Sequence, residues 1–421
     1  WTYYLNFLAD IYDVDEKTRK ERIEQLSKIF EINDVLNNKI ESYSHGMRQK
    51  LIIIGSSIIG VIVLLLIVLW LVSIFGGKKL TYEQVEEKIV NAAEKYYKDN
   101  PTMLPASDGD YSLSYQTLVD AGYIKPLSEL LKDGDKCSAE VTVNAQNSAY
   151  SYIAFLNCPG NYETKELKNI ITEKAVTSGE GLYNDNGTYY YKGENVNNYI
   201  IIGMSGNEKE EKAITGRIMS IESDGTIRVK LDKKTDGTYA WDDRYNENRG
   251  YNDGYNIFEK SRLKDTLKQL ETEDKENIDT LILSSKVKSK LVSKKLCIGT
   301  RTESDTTKDG SSECSVLSTD TYLFSLMAPY EYMRASMDDN CKNLTDLSCS
   351  NYNYLSDYNQ SSEWLLTATN QNDYKAFAFN GTDITLSKTS SSKRLRFIVN
   401  LNKHTFYKSG TGTSTDPYII K

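Results

Sequence analysis

Between Leu51 and Phe75 the chain runs 25 positions without a charge. At 1.5 Å per residue such a helix is about 37 Å long, enough to cross a bilayer with tilt. The Gly-Gly-Lys-Lys that follows does not match a signal-peptide cleavage site. The pattern predicts a retained transmembrane helix over 51–75. Before it, Ile23, Leu26, Ile29 and Phe30 recur at helical spacing among charges, which predicts helical structure within residues 1–50. After it, Thr81-Tyr-Glu-Gln84 forms a capping box. The helix it opens carries Val85, Ile89, Ala92, Ala93 and Tyr96 on one face and stops at Asn100-Pro101. A second short helix around Tyr115–Ala121 closes at Gly122.

From there the period becomes two. Glu140–Val143 and Tyr150–Phe155 alternate as strands, and a helical connector over Lys165–Ala175 follows. Tyr183–Tyr191 reads as a hairpin around Asn186-Gly187. Tyr199–Ile202, Thr215–Ile221 and Thr226–Leu231 read as strands, the last two joined by a turn at Ser223-Asp224-Gly225. Ser261–Leu270 is a helix with Leu263, Leu267 and Leu270 on one side, and short strands are expected at Leu296-Cys297, Tyr322–Leu326, Trp364–Thr367 and Arg396–Leu401. The expected fold class is α+β: a single transmembrane helix, a small α+β module, then a larger β-rich domain. The segments are 1–50 helical, 51–75 membrane-spanning, 80–165 the small module, 166–195 connector and hairpin, and 196–421 the large domain.

Composition narrows the function. The 421 residues give room for two or three domains. A net charge of −8 excludes nucleic acid as an expected partner, because phosphate binding needs a basic face. With only His45 and His404, far apart in sequence, a His-rich zinc site or a Ser/His/Asp triad is not expected. Lysines and arginines flank the apolar run on both sides (Lys39, Arg48, Lys50; Lys78, Lys79, Lys88, Lys95), so charge does not set its orientation. The cysteines do. All six follow the run, as near pairs Cys137/Cys158, Cys297/Cys314 and Cys341/Cys349. This spacing predicts three local disulfides, which need an oxidising compartment and place the C-terminal region outside the cell.

Residues 1–50, ending Ser42-Tyr-Ser-His-Gly-Met-Arg-Gln-Lys50, resemble the ATP-binding subunit of an ABC transporter in the region leading to its signature loop. The resemblance matches Ser44 and Gly46 to that loop, with His45 and Met47 at its variable positions, and implies contact with the γ-phosphate of ATP at a helix N-terminus. No G-x-x-x-x-G-K-[ST] occurs in the chain, so no ATP is expected to bind. The apolar face Ile23, Leu26, Phe30 has little in this segment to bury against. Met47 offers an alternative start, from which a short basic tail would enter the membrane helix; residues 1–46 would then be a natural fusion, an upstream frame or an artefact.

The helix-then-sheet order of 80–165 resembles pilin-like subunits, without the early Glu that pilins carry in the apolar run. Further on stand Arg217–Gly225, Trp241-Asp-Asp-Arg-Tyr-Asn246, Glu331–Ser336, Trp364–Thr367, Arg394–Leu401 and the ending Gly410–Ile420. In that order they resemble bacterial surface domains of the formylglycine-generating-enzyme-like, C-type-lectin-like kind. The loop Trp241–Asn256 could chelate calcium through Asp242, Asp243, Asn246, Asn252 and Asp253, since hard cations take clustered oxygens. It could equally be a solvated Asn/Gly/Tyr loop. No enzyme is signalled. The expectation is a single-pass, membrane-anchored bacterial surface protein with the lipid bilayer as one partner and an extracellular glycan or protein as ligand. The alternatives are an ABC-ATPase fragment fused to a surface protein, or a pilin-like subunit.

Overall fold

The computed structural model describes residues 2–11, 15–36, 44, 46–47, 49–50, 79–146, 149–205, 212–272, 283–345, 349, 351, 353–356 and 362–421. The expected transmembrane helix over 51–75 lies outside them. Among the described residues no helix is long and apolar enough to cross a membrane. The 18-residue helix Tyr82–Asp99, for instance, has charges all along its outer side and is amphipathic rather than apolar all round. The expected fold class is therefore corrected: the chain is a mixed α/β protein, mostly strands, arranged in several sheets.

Two compact units make up the chain, one of residues 1–92 with 118–137 and one of residues 93–117 with 138–421. In the first, Asp15 caps the helix Glu16–Ile29 by accepting the Thr18 N–H at 3.0 Å. Ile23 buries with Leu5, Ile32 and Leu36, and Leu26, Phe30, Val35 and Met47 pack around them. This corrects the expectation that this apolar face has little to bury against. The chain turns back after Phe30 and supplies its own partners. The capping box at Thr81 is present in both directions, Thr81 N–H to Gln84 Oε1 at 3.0 Å and Gln84 N–H to Thr81 Oγ1 at 3.3 Å.

The second unit holds the sheets. Strands β1 (Gly109–Ser114), β2 (Ser138–Gln146), β3 (Ala149–Cys158) and β4 (Tyr162–Glu163) form an antiparallel four-stranded sheet in that order. A nine-stranded sheet follows. It contains β5 (Gly181–Asp185), β6 (Thr188–Lys192), β7 (Tyr199–Met204), β8 (Ala213–Ile221), β9 (Ile227–Lys234), β13 (Phe324–Ser325), β18 (Arg396–Leu401), β19 (Tyr407–Ser409) and β20 (Tyr418–Ile420). Its main order is β13-β18-β9-β8-β7-β20-β19, and the β5–β6 hairpin joins through β6 to β8. That hairpin turns at Asn186 and Gly187, both with positive φ (49° and 87°), as the tight turn matched to strand twist requires. Smaller pairings are β10 (Tyr239–Ala240) with β17 (Ser392–Lys393), and β11 (Lys294–Cys297) with β12 (Leu317–Tyr322). The sheet β14 (Glu363–Ala368), β15 (Lys375–Phe379), β16 (Ile384–Lys388) completes the set.

The two faces of β9 differ in kind. Ile227, Val229 and Leu231 are fully buried and belong to the main apolar core, with Ile218 and Val399 opposite Val229. Arg228, Lys230 and Lys234 alternate with them on the other face. Charges placed there need partners, because an isolated buried charge is costly. Two buried carboxylates supply them. Glu331 meets Arg228 at 2.5 Å, and Glu363 meets Arg396 at 2.9 Å and Lys234 at 3.4 Å, with Lys230 3.9 Å away.

Candidate functional site

The charged face of the nine-stranded sheet ends in a cleft of about 190 Å³. Register builds its floor: Asn400 on β18 is the direct cross-strand neighbour of Arg228 on β9, so their side chains share a face. Ser325 on β13 stands opposite Ile398, two residues from Asn400 and on the same side. Glu222, just after β8, closes one edge and accepts the Ser220 hydroxyl at 2.5 Å. Lys294 of β11 forms another edge, tied to Asp224 at 2.8 Å and to the Thr226 hydroxyl. Tyr330, Leu296, Leu366 and the Cys297–Cys314 disulfide supply less polar walls.

Most polar groups in the cleft are spoken for. Arg228 reaches Glu331 through Nε and, at 3.4 Å, through Nη2, while Glu331 also accepts the Ala328 N–H at 2.8 Å. Burial alone would make Arg228 easier to deprotonate; the Glu331 carboxylate outweighs it and holds the guanidinium charged. Asn400 is different. It is 2% exposed, and its Oδ1 has no hydrogen-bond partner. A buried carboxamide left unpaired costs about 1–3 kcal/mol, and a ligand in the cleft would recover it. The Tyr330 hydroxyl also has no partner among the described residues, and burial raises its pKa.

The calcium candidates are brought into one loop but not around one point. Asp242 is fully buried and its two oxygens accept from Arg244 Nε (2.8 Å), Tyr255 N–H (2.8 Å) and Arg262 N–H (3.2 Å). Asp243 pairs with Arg262. Asp253 is held between Arg249 (3.2 Å) and Lys388 (3.4 Å). Asn246 donates to the Gly254 carbonyl at 2.6 Å, leaving its Oδ1 buried without a partner, and Asn252 is exposed. Three guanidiniums and a lysine thus take up the charge a cation would neutralise. Among the described residues, the only grouping of three His, Cys, Asp or Glu ligand atoms is Asp338 with Cys341 and Cys349. Those two cysteines are bonded to each other and so are not thiolate ligands.

All six cysteines are in disulfides, with Cys297–Cys314 and Cys341–Cys349 paired as their spacing predicts and Cys137 and Cys158 also bonded. Of the signature-like residues, Ser44 accepts the Met47 N–H at 3.3 Å and so caps its own chain; Gly46 has open space about it, and His45 lies outside the described residues. The cleft residues Glu222, Arg228, Tyr330 and Asn400 were not read as a site from sequence. The available signal was a polar residue inside an apolar strand, Asn400 in Phe397-Ile-Val-Asn-Leu401 and Arg228 between Ile227 and Val229. No family model, no curated protein and no solved structure matches the chain.

Proposed function

We propose that this is an extracytoplasmic recognition protein whose large domain (196–421) holds the end group of a glycan in the cleft at Asn400. The carrying observation is the buried, unpartnered carboxamide of Asn400 beside Arg228, Glu222 and Ser325. Sugar hydroxyls both donate and accept, which suits a floor of amide, carboxylate and guanidinium, and the Tyr330 ring offers a face for the apolar side of a pyranose. At about 190 Å³ the cleft is smaller than the ~300–1,000 Å³ of drug-sized sites, so it suits one residue of a longer chain. Glycoside hydrolysis generally uses two facing carboxylates. Glu222 is the single carboxylate among the lining residues, which favours binding over cleavage. The disulfides favour an oxidising compartment. The likeness of the C-terminal motifs to C-type-lectin-like surface domains points the same way.

The test is a glycan panel read by isothermal titration with the purified chain. Sugar binding that falls about tenfold in Asn400→Ala, the equivalent of about 1.4 kcal/mol, supports the reading; a thermal melt confirms that the variant folds. Undiminished binding by Asn400→Ala, or binding to no sugar in the panel, would overturn it.

A further inference from the structure

A row of alternating rings and cations leads from the β5–β6 hairpin to the cleft. Lys192 stands 5.1 Å from the centroid of the Tyr183 ring, Tyr183 stacks on Tyr190 at 6.5 Å, and the Arg334 guanidinium lies 4.5 Å from the Tyr190 ring. Arg334 also lies 5.4 Å from the ring of Tyr330, which is a wall of the cleft. The order along the surface is therefore Lys192, Tyr183, Tyr190, Arg334, Tyr330, all partly exposed.

Cation–ring contacts alone say little, since they recur about once per 70–80 residues in ordinary proteins. What separates this row is that its cations make no ion pair, although Asp309 lies close enough to Arg334 for their charges to interact. Among the described residues neither the Lys192 nor the Arg334 side chain is within ion-pair distance of a carboxylate, and neither side chain makes a hydrogen bond. Arg217 is the contrast. It also lies between two rings, Tyr199 at 3.7 Å and Tyr354 at 5.4 Å, but it donates to Asn198 and to the Val196 carbonyl and serves the fold. Lys308 adds to the same region. Burial and the charge of nearby Lys192 both lower its pKa, partly offset by Asp339 and Asp338. Lysine and arginine side chains outside any ion pair stand out here in a chain of net charge −8.

Resting on the reading of the cleft as a sugar site, we infer that the ligand is an acidic glycan. Its end group would sit at Asn400 while the carboxylates or sulfates of the following residues meet Arg334 and Lys192, with ring faces on Tyr190 and Tyr183. Arg334 presents planar paired donors that match a carboxylate or sulfate. The tyrosines let successive sugar rings pack without a change of register.

The experiment compares acidic probes (sialyllactose, oligogalacturonate, a heparin tetrasaccharide) with neutral ones (lactose, oligogalactose) by isothermal titration on the full chain. Two exposed charge contacts predict an acidic-over-neutral preference of roughly tenfold at low salt. The preference should shrink as salt shortens the screening length. It should collapse to within about twofold in the double variant Lys192→Gln, Arg334→Gln, and survive in Arg334→Lys, which keeps the charge. Equal affinity for acidic and neutral sugars, or a preference untouched by the double variant, overturns this inference and leaves the sugar cleft standing. Binding of no sugar overturns both. Tighter binding of an oligothymidylate than of any acidic sugar would show that rings and cations serve a nucleic acid and would overturn the assignment to a glycan.

Discussion

Trp241 and Trp364 hold each other's strands: the Trp241 indole N–H donates to the Leu365 carbonyl at 3.3 Å and the Trp364 indole N–H to the Tyr239 carbonyl at 2.8 Å. Both rings are essentially fully buried; the Trp241 bond is buried and the Trp364 bond partly so. The exchange fastens β14 to the turn after β10 and thereby positions Leu366 at the cleft wall.

Trp364→Phe should cost about 1–3 kcal/mol, because it keeps most of the ring but removes the indole N–H that the Tyr239 carbonyl accepts. Trp364→Ala should cost about 3–5 kcal/mol by opening a cavity as well. Urea denaturation measures both; a Trp364→Phe variant as stable as the wild type would show that the hydrogen bond contributes nothing beyond ring burial.

Acid should weaken the tie between β1 and the loop after β18. His404 Nδ1 lies 2.5 Å from Glu166 and its Nε2 3.3 Å from Asp110, while Lys403 reaches Asp110 at 2.6 Å and Lys168 reaches Glu166 at 2.8 Å. Burial pushes both carboxyls up. Hydrogen bonds from Lys403, Asn144 and His404 outweigh it at Asp110 and bring its pKa to about 2, and those from His404 and Lys168 lower that of Glu166. A depressed folded pKa contributes stability that is present above the unfolded value, about 4 for Asp, and is lost as pH falls through the folded one. The urea midpoint of the wild type should therefore fall more steeply from about pH 4 downward than that of Asp110→Asn. Parallel curves would remove this network as a source of acid sensitivity.

Reduction should destabilise the large domain. Loop closure suggests about 3 kcal/mol for Cys297–Cys314 and about 2.5 kcal/mol for Cys341–Cys349, from sequence separations of 17 and 8. Replacing Cys297 and Cys314 together by serine should lower the melting temperature and weaken sugar binding, since this disulfide lines the cleft. A melting temperature indifferent to reductant would contradict the first expectation.

Arg301 and Glu313 form a fully buried pair at 2.8 Å, with Arg301 also donating to the carbonyls of Asp305 and Thr307. Burial raises the pKa of Glu313 despite the neighbouring guanidinium. Arg301→Met strands the carboxylate and should cost about 3–5 kcal/mol, and adding Glu313→Leu should recover part of that loss. Chemical denaturation of the two variants decides it; a double variant less stable than the single one would show that a stranded Glu313 carboxylate is not the source of the loss.

Calcium should leave the fold unmoved. Asp242, Asp243 and Asp253 already face Arg244, Arg262, Arg249 and Lys388. Differential scanning fluorimetry with millimolar CaCl₂ against EDTA should show coincident melts. A rise of several degrees with calcium would restore the loop around Asn246 as a cation site, since a ligand that binds only the native state stabilises it.

The sequence by itself determined what depends on neighbours along the chain. The Thr81–Gln84 capping box, the Asn186-Gly187 turn, the β8–β9 hairpin and the pairs Cys297–Cys314 and Cys341–Cys349 all join groups a few to a score of residues apart. Period and turn chemistry fix such features before any core exists. The tertiary structure decided what depends on register between distant segments. Sequence places Asp242, Asp243 and Asp253 together, yet each side chain ends on a different cation, because a loop's side chains follow its packing and not its spacing. Arg228, Asn400 and Ser325 share a floor only because β18 pairs with β9 on one side and β13 on the other. A slip of one residue in that pairing would turn Asn400 to the apolar face and close the site.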